Sequence, residues 1–214
     1  MLRLSVFSHA MIRQKSYYVQ FHMVRSQKSE TIKFLTLDET QRLLSVIQNK
    51  RDKAIFLTAY RHGLRASEIG LLHLQDFDFQ KQRVMIHRLK GSLSGVHPLQ
   101  ADESRILKSY IKTRTGQSPT LFVSNRNLPI SRKTLDVLMK QYGEKAKLPP
   151  DKRHFHVLKH SIATYLLDTG EADIRFVQDW LGHANIQNTV IYASLVSATR
   201  ERKAREHFFK LPKF

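Results

Sequence analysis

Apolar side chains recur every three or four residues along most of this chain, the spacing that predicts amphipathic α-helices. The first helix begins with a capping-box pattern, because Thr36 is followed three residues later by Glu39. The second ends before Gly63, a residue that favours the left-handed conformation after a helix. The predicted helices cover 36–48, 51–60, 64–74, 101–113, 131–146, 156–169 and 173–181, with a last turn from 188.

The hydrophobic pattern changes to alternation between residues 76 and 99, which predicts β-structure. Strands are expected at 76–80, 83–89 and 96–99, with a turn at 90–95. A further strand-like alternation occupies 16–24. The pattern therefore predicts a mainly helical chain with a small hairpin.

The charge of the chain is strongly unbalanced. Its 214 residues include 36 Lys and Arg against 18 Asp and Glu, a net charge of +18 that is spread along the sequence. A folded domain this basic usually faces a polyanion, so nucleic acid is the first expected partner and an anionic membrane surface a distant second. The hydrophobic fraction of 41% is enough for a buried core.

The composition also excludes several classes of protein. The sequence contains no cysteine, which rules out disulfides and thiolate metal sites. No segment approaches the ~20 apolar residues of a membrane span, and the N-terminus lacks the apolar run and small-residue cleavage site of a signal peptide. We therefore expect a cytoplasmic, nucleoid-associated protein with no membrane partner.

Basic, imidazole and phenol groups are concentrated between residues 154 and 192. His156, Lys159 and His160 open one predicted helix, His183 follows the next, and Tyr192 comes nine residues later. Cationic and imidazole groups beside a phenol suit the binding and cleavage of a phosphodiester. An ordinary helical bundle is also consistent with these residues, and two helices joined by a short turn are also typical of a helix–turn–helix.

Two earlier segments offer further basic groups. Arg65 lies at the predicted start of a helix, beside free backbone amides, and both features suit an anionic oxygen. The hairpin tip carries Arg88 and Lys90, which are placed to enter a DNA groove. A surface arginine and a solvated basic turn are the structural alternatives for these two segments.

Four motifs in this order resemble the catalytic boxes of the tyrosine recombinases, also called phage-type integrases. They are GLRASEI (63–69), HVLKHSIAT (156–164), LGH (181–183) and Tyr192. The resemblance extends over residues 31–197. It implies an α+β fold, mainly α with a small antiparallel β-sheet, and DNA strand cleavage and rejoining through a phosphotyrosine bond. It implies neither a metal nor a cofactor.

The resemblance also assigns roles to individual residues. Tyr192 matches the nucleophile, Arg65 and Lys159 match the two cations that stabilise charge on the phosphate, and His183 matches a group that hydrogen-bonds a phosphate oxygen. His156 matches the histidine that assists proton movement at the nucleophile. Lys90 matches the general acid for the leaving 5′-hydroxyl.

Supporting and DNA-contacting residues complete the expected site. Glu68 and His160 are expected to orient the catalytic groups. The residues expected to contact DNA are Arg88, Lys90, Lys152 and Arg153. His154, His156 and His160 are spaced like possible metal ligands, but no carboxylate cluster completes a site, so no metal is expected.

This chain departs from the family pattern at two points. Lys159 stands where the family usually has an arginine, which keeps the charge but loses the planar fork. Only about 30 residues precede the catalytic domain, where most relatives carry a DNA-clamping domain. The chain is therefore expected to be either a minimal recombinase, like the fimbrial phase-variation invertases, or a truncated form.

The expected organisation is a basic extension at 1–30, a catalytic domain at 31–196 and a tail at 197–214. Phe208, Phe209 and Leu211 in the tail are candidate anchors on a neighbouring protomer, and a frayed basic tail is the alternative. The expected partners are double-stranded DNA and further copies of the chain, as a tetramer on DNA. A DNA-binding regulator that has lost cleavage is the main alternative function, and an RNA- or membrane-surface binder is the third.

Overall fold

The computed structural model describes residues 32–89, 91–170, 172–196 and 204–205. The chain divides into Met1–Thr31 and Ile32–Phe214, and only the second unit contains described residues. The strand expected at 16–24 and the tail anchors Phe208, Phe209 and Leu211 lie outside the described residues. Among the described helices, none has the length and apolar character needed to cross a bilayer.

The described chain is mostly helical, with one three-stranded antiparallel sheet. The helices are α1 (Leu37–Val46), α2 (Lys50–Arg61), α3 (Ala66–Ile69), α4 (Ala101–Ile111), α5 (Arg132–Lys145), α6 (Val157–Thr169), α7 (Ile174–Trp180) and α8 (Gln187–Ala193). The strands are β1 (Phe77–Asp78), β2 (Arg83–Ile86) and β3 (Gly95–Pro98), in the order β1-β2-β3. Short 3₁₀ turns at Leu74–Asp76 and Pro150–Lys152 were not predicted from the sequence.

Local signals in the sequence set several element boundaries. The Thr36 side chain accepts a hydrogen bond from the Glu39 backbone, and the Glu39 carboxylate accepts one from the Thr36 backbone, so the predicted capping box is confirmed. Gly63 adopts a φ of 57°, as the predicted left-handed residue after α2 requires. This turn leads directly into Arg65 and α3.

Helix α2 lies at the centre of the main core. Its residues from Ala54 to Ala59 are all buried, as expected for a helix that is covered on every side. It packs against α1, α3, α4 and α6. A second apolar cluster joins α6, α7 and α8 around the ring of Tyr192. The residues of the site therefore sit on elements that are fixed by two adjoining cores.

Strand β2 is the middle strand of the sheet. Val84 pairs with His97 and Ile86 with Gly95 across β2 and β3. Val84 and Ile86 are buried while Arg83 is exposed, so the predicted alternation of the strand is confirmed. The hairpin turn that follows β2 reaches the end of α7. There the Leu93 backbone amide donates a hydrogen bond to the Gly182 carbonyl at 2.9 Å.

Candidate active site

Arg65 is held by a buried carboxylate one turn further along the chain. Its backbone amide donates to Oε2 of Glu68 at 2.8 Å, and its guanidinium donates to Oε1 of Glu68 at 2.8 Å and to the Ser92 hydroxyl at 3.2 Å. Burial alone raises the pKa of Glu68, but the Arg65 backbone hydrogen bond and the charges of Arg88 and Lys159 hold this pKa below its usual value. Glu68 is therefore an ionised hydrogen-bond partner that holds Arg65 in place.

Lys159 lies in the first turns of α6 and is buried, with 1% of its surface exposed. Its ammonium donates to the Leu181 carbonyl at 3.1 Å, which connects α6 to the turn after α7. Burial, followed by the positive charges of Arg88 and Arg65, lowers the pKa of Lys159 to about 7. An arginine at this position would stay charged throughout the physiological range.

His183 is placed by the turn that ends α7. Gly182 supplies the left-handed backbone of this turn, with a φ of 67°. The buried His183 ring is fixed because Nδ1 lies 2.9 Å from the Thr189 hydroxyl of α8. Burial and the charges of Lys159 and Arg65 lower the pKa of His183 to about 4. The ring is therefore neutral at pH 7, with Nε2 as the nitrogen that would meet an oxyanion.

The phenol of Tyr192 is buried inside the site. Only 2% of the residue is exposed, and its hydroxyl lies 2.9 Å from Nδ1 of His160. Burial raises the pKa of Tyr192 to about 12, against the opposing field of Arg65. The His183 ring stacks near the phenol at a centroid distance of 6.5 Å. The phenol is therefore neutral and withdrawn from solvent in this conformation.

His160, and not His156, contacts the phenol. The family resemblance predicts proton movement at Tyr192 for His156. The His156 ring instead lies edge to face with the His160 ring, with 4.4 Å between the ring centroids, and His156 is exposed. Desolvation, then the charges of Lys159 and Arg65, lowers the pKa of His156 to about 4. His160 was predicted only as a supporting residue, and its four-residue spacing from His156 was the signal that could have placed it next to the phenol.

An open cleft adjoins Arg65 and is lined mainly by basic side chains. Its volume is about 730 Å³. Its lining residues are Arg65, Ala66, Ser67, Leu89, Arg132, Asp136, Lys140, Arg153, His154 and His156. Cations arranged along one groove suit a phosphodiester backbone. Within the part of the chain that the structure describes, no group of three His, Cys, Asp or Glu residues is placed to hold a metal ion.

The comparison with known families identifies the chain. The profile described as the Phage integrase family matches residues 33–198. The chain belongs to the phage integrase family. Its motifs and its fold, mainly α with a small antiparallel sheet, are therefore those of the tyrosine recombinases, and the helix–turn–helix alternative is set aside.

Individual relatives agree with this assignment. The chain is 40% identical over 168 residues to "Tyrosine recombinase XerA" of Pyrococcus horikoshii, a match that covers 77% of this chain and 58% of that relative. It is 34% identical over 171 residues to "Type 1 fimbriae regulatory protein FimE" of Escherichia coli K12, which covers 76% of this chain and 85% of that relative. The chain thus spans less than two thirds of the archaeal XerA relatives it matches.

Solved structures show the same fold. A crystal structure of XerA recombinase superposes with a TM-score of 0.74 at 28% identity and covers 89% of this chain and 67% of that one. A post-cleavage complex of the XerH recombinase with its difH substrate gives a TM-score of 0.72 at 22% identity, covering 84% of this chain and 54% of that one. At 22% identity, the match to XerH shows a similar fold and nothing further.

The predicted DNA-contacting residues have different positions in the integrase fold. Arg88 has a side chain that is only 1% exposed, so the prediction that it reaches a DNA groove from the hairpin surface is corrected. Lys152 is paired with both carboxylate oxygens of Glu39, at 2.9 and 2.7 Å, and thereby joins α1 to the segment before α6. Arg153 lines the cleft. Lys90 lies outside the described residues.

Proposed function

We propose that this protein is a site-specific DNA recombinase that cuts and rejoins strands through a 3′-phosphotyrosyl intermediate. The observation that carries the proposal is the convergence of cations and imidazoles on one buried phenol. The fields of Arg65 and Lys159 both act on His183, and that of Arg65 also acts on Tyr192. Family membership supports the same reaction.

The proposed chemistry is a balanced exchange of phosphate esters. The Tyr192 oxygen attacks the scissile phosphorus, an O–P bond to tyrosine forms, and the bond to the 5′-oxygen breaks. That oxygen takes up a proton, for which Lys90 remains the proposed donor. Because the phosphotyrosyl ester conserves the bond energy, rejoining needs no other energy source. Arg65, Lys159 and His183 stabilise the charge that gathers on the non-bridging oxygens.

The buried phenol must change its position or surroundings before it reacts. The pKa of Tyr192 is raised to about 12, while that of its partner His160 is lowered to about 3, chiefly by burial in both cases. Proton transfer between two groups with such different pKa values is strongly unfavourable. We therefore propose that DNA brings the phosphate and the phenol together. The phenol proton then passes to Nδ1 of His160, 2.9 Å away, only as the O–P bond forms and makes the phenol oxygen more acidic.

The proposed partners are duplex DNA and other copies of the chain. A tetramer on DNA, with tails 197–214 exchanged between protomers, is the assembly proposed for strand exchange, and the nucleoid is its proposed location. Sedimentation of the protein with and without its DNA site tests the assembly. A complex that stays at one protomer per DNA site through strand exchange contradicts it.

Covalent capture on a suicide substrate tests the reaction. The DNA site is first enriched from randomised duplexes with the Tyr192→Phe protein, and a nicked version of that site is then offered to each variant. The unchanged protein is expected to form a covalent protein–DNA adduct, and Tyr192→Phe is expected to form none. Tyr165→Phe, which alters an exposed tyrosine on α6, is the matched control and is expected to retain the adduct.

A DNA-binding regulator is the second candidate function. Lys159 in place of the family's arginine, together with the buried phenol, favours it. Sequence-specific binding without an adduct from the unchanged protein supports the regulator and contradicts the recombinase. An adduct that depends on Tyr192 supports the recombinase.

A further inference from the structure

The guanidinium of Arg88 makes four hydrogen bonds within a single buried junction. Its Nη1 donates to the Gly63 carbonyl at 2.9 Å and to Glu68 Oε2 at 3.1 Å. Its Nη2 donates to the His62 carbonyl at 2.8 Å and to the Trp180 carbonyl at 2.7 Å. A side chain with 1% exposure cannot touch DNA, so these contacts must account for its presence.

The acceptors of Arg88 belong to the segments that carry the catalytic groups. His62 and Gly63 form the turn that leads into Arg65. Trp180 precedes Leu181, whose carbonyl accepts from Lys159, and lies three residues before His183. Glu68 is the carboxylate that holds Arg65. One planar guanidinium thus fixes the spacing between the Arg65 turn and the His183 turn, which are far apart in sequence.

Arg88 also controls where the Arg65 guanidinium lies. The buried Glu68 carboxylate receives both arginines, Arg65 on Oε1 and Arg88 on Oε2. If Arg88 were removed, Oε2 would lose its side-chain donor and Arg65 would be the nearest cation to replace it. Repulsion between the two guanidinium groups also favours an outward position of Arg65. With Arg88 present, Arg65 is therefore kept beside the cleft and available to an oxyanion.

We propose that Arg88 is a positioning residue that holds Arg65 and the Lys159–His183 side of the site in register for the phosphate. The inference rests on the proposed function for its effect on cleavage, but its effect on Arg65 does not depend on catalysis. A lysine cannot replace Arg88, because one ammonium does not reproduce the planar fork that reaches four acceptors.

The first experiment observes Arg65 directly. The Nε–Hε resonance of Arg65 is assigned in ¹H–¹⁵N spectra with the help of Arg65→Lys, and then followed in Arg88→Lys and Arg88→Met. Both Arg88 variants are expected to shift or broaden the Arg65 signal. Arg88→Lys keeps a cation beside Glu68, so it serves as the measurement if Arg88→Met fails to fold. An Arg65 signal unchanged in folded Arg88→Lys overturns the proposal.

Arg51 provides a matched control. It too is a mostly buried arginine, donating to a carboxylate, Asp52, at 2.9 Å and to a backbone carbonyl, Val123, at 3.2 Å, but it lies outside the site. Arg51→Met is expected to leave the Arg65 signal and strand cleavage unchanged. A shift of the Arg65 signal in Arg51→Met equal to that in Arg88→Lys would show a general loss of structure and overturn a specific role for Arg88.

The second experiment measures single-turnover cleavage of the suicide substrate. Arg88→Lys is expected to lower the cleavage rate by ~100-fold, the scale for losing one transition-state donor, with DNA affinity nearly unchanged. Because part of the effect of Arg88 passes through Arg65, Arg88→Lys is expected to slow cleavage less in the Arg65→Ala protein than in the unchanged protein. Fully additive losses overturn the proposal.

The two experiments separate this inference from the proposed function. If the unchanged protein forms no adduct while the Arg65 signal still depends on Arg88, the recombinase proposal fails and the positioning role stands. If the adduct forms and Arg88→Lys cleaves at the unchanged rate, the recombinase proposal stands and the positioning role is overturned.

Discussion

At the scale of the residue, one lysine, Lys159, makes the charge of the site depend on pH. The family places an arginine where this chain has Lys159, and burial beside Arg88 and Arg65 lowers the pKa of that lysine to about 7. Because the pKa is lowered, the ammonium is charged below about pH 7 and loses its proton as the pH rises through that value. The stabilisation of an oxyanion by this site is therefore expected to weaken as the pH rises above about 7. An arginine at this position would stay charged and would remove this pH dependence.

The cleavage rate is expected to depend on pH because Lys159 loses its proton near pH 7. Measured at sub-saturating protein, where the free enzyme is observed, the rate of Lys159→Arg divided by that of the unchanged protein should rise by roughly tenfold per pH unit above about pH 7. Lys159→Ala, which has no charge at any pH, should cleave at least ~100-fold more slowly than the unchanged protein at pH 6. Parallel pH profiles for Lys159→Arg and the unchanged protein would refute the titration of Lys159.

At the scale of the element, the hairpin turn after β2 contacts the turn after α7. The Leu93 amide donates to the Gly182 carbonyl, and a Cβ at Gly182 would collide with the Leu93 carbonyl and lie 3.0 Å from Arg88 Cγ. The φ of 67° at Gly182 is a second reason for glycine at this position. Close backbone contact thus joins the hairpin to the His183 turn.

Gly182→Ala is expected to destabilise the protein beyond the cost of its backbone conformation. Gly91→Ala is the control, since Gly91 has a similar φ of 69° and no atom within 4 Å of an added Cβ. The control should cost ~1–2 kcal/mol of unfolding free energy, and Gly182→Ala at least ~1 kcal/mol more because of the collision with Leu93. Urea unfolding of both variants measures the difference, and equal losses would mean that the contact between the turns does not constrain the fold.

The dominant property at the scale of the whole molecule is the net charge of +18. Part of that charge lines the cleft beside Arg65, where Arg132, Lys140 and Arg153 accompany it. Other cations are paired with carboxylates in partly buried positions, as Lys152 is with Glu39. The arrangement of the cations, more than their total number, therefore determines where a polyanion binds.

DNA affinity is expected to fall steeply with salt because bound phosphates release counterions. Four cleft cations predict a slope of roughly −4 for log affinity against log salt concentration, and Arg132→Gln with Lys140→Gln should reduce its magnitude by about 2. Lys81→Gln with Lys112→Gln removes two cations that do not line the cleft and should leave the slope unchanged. Equal changes from the two pairs, measured by fluorescence anisotropy, would mean that the cleft is not the DNA-binding surface.

The sequence by itself determined the order of the elements, the capping box at Thr36, the left-handed Gly63 and the family. These features are encoded by local spacing, which fixes backbone period and turn conformation regardless of what packs on them. It also indicated which residue types carry the chemistry.

Only the tertiary structure decided the partners of those residues. Arg88 bonds to a carbonyl 92 residues away, and the phenol of Tyr192 meets His160 across 32 residues. From sequence alone, Arg88 was therefore predicted to lie on the surface and His156 was predicted to act at the phenol. Burial and hydrogen bonding depend on how α6, α7 and the hairpin pack together, and no local pattern in the chain records that packing.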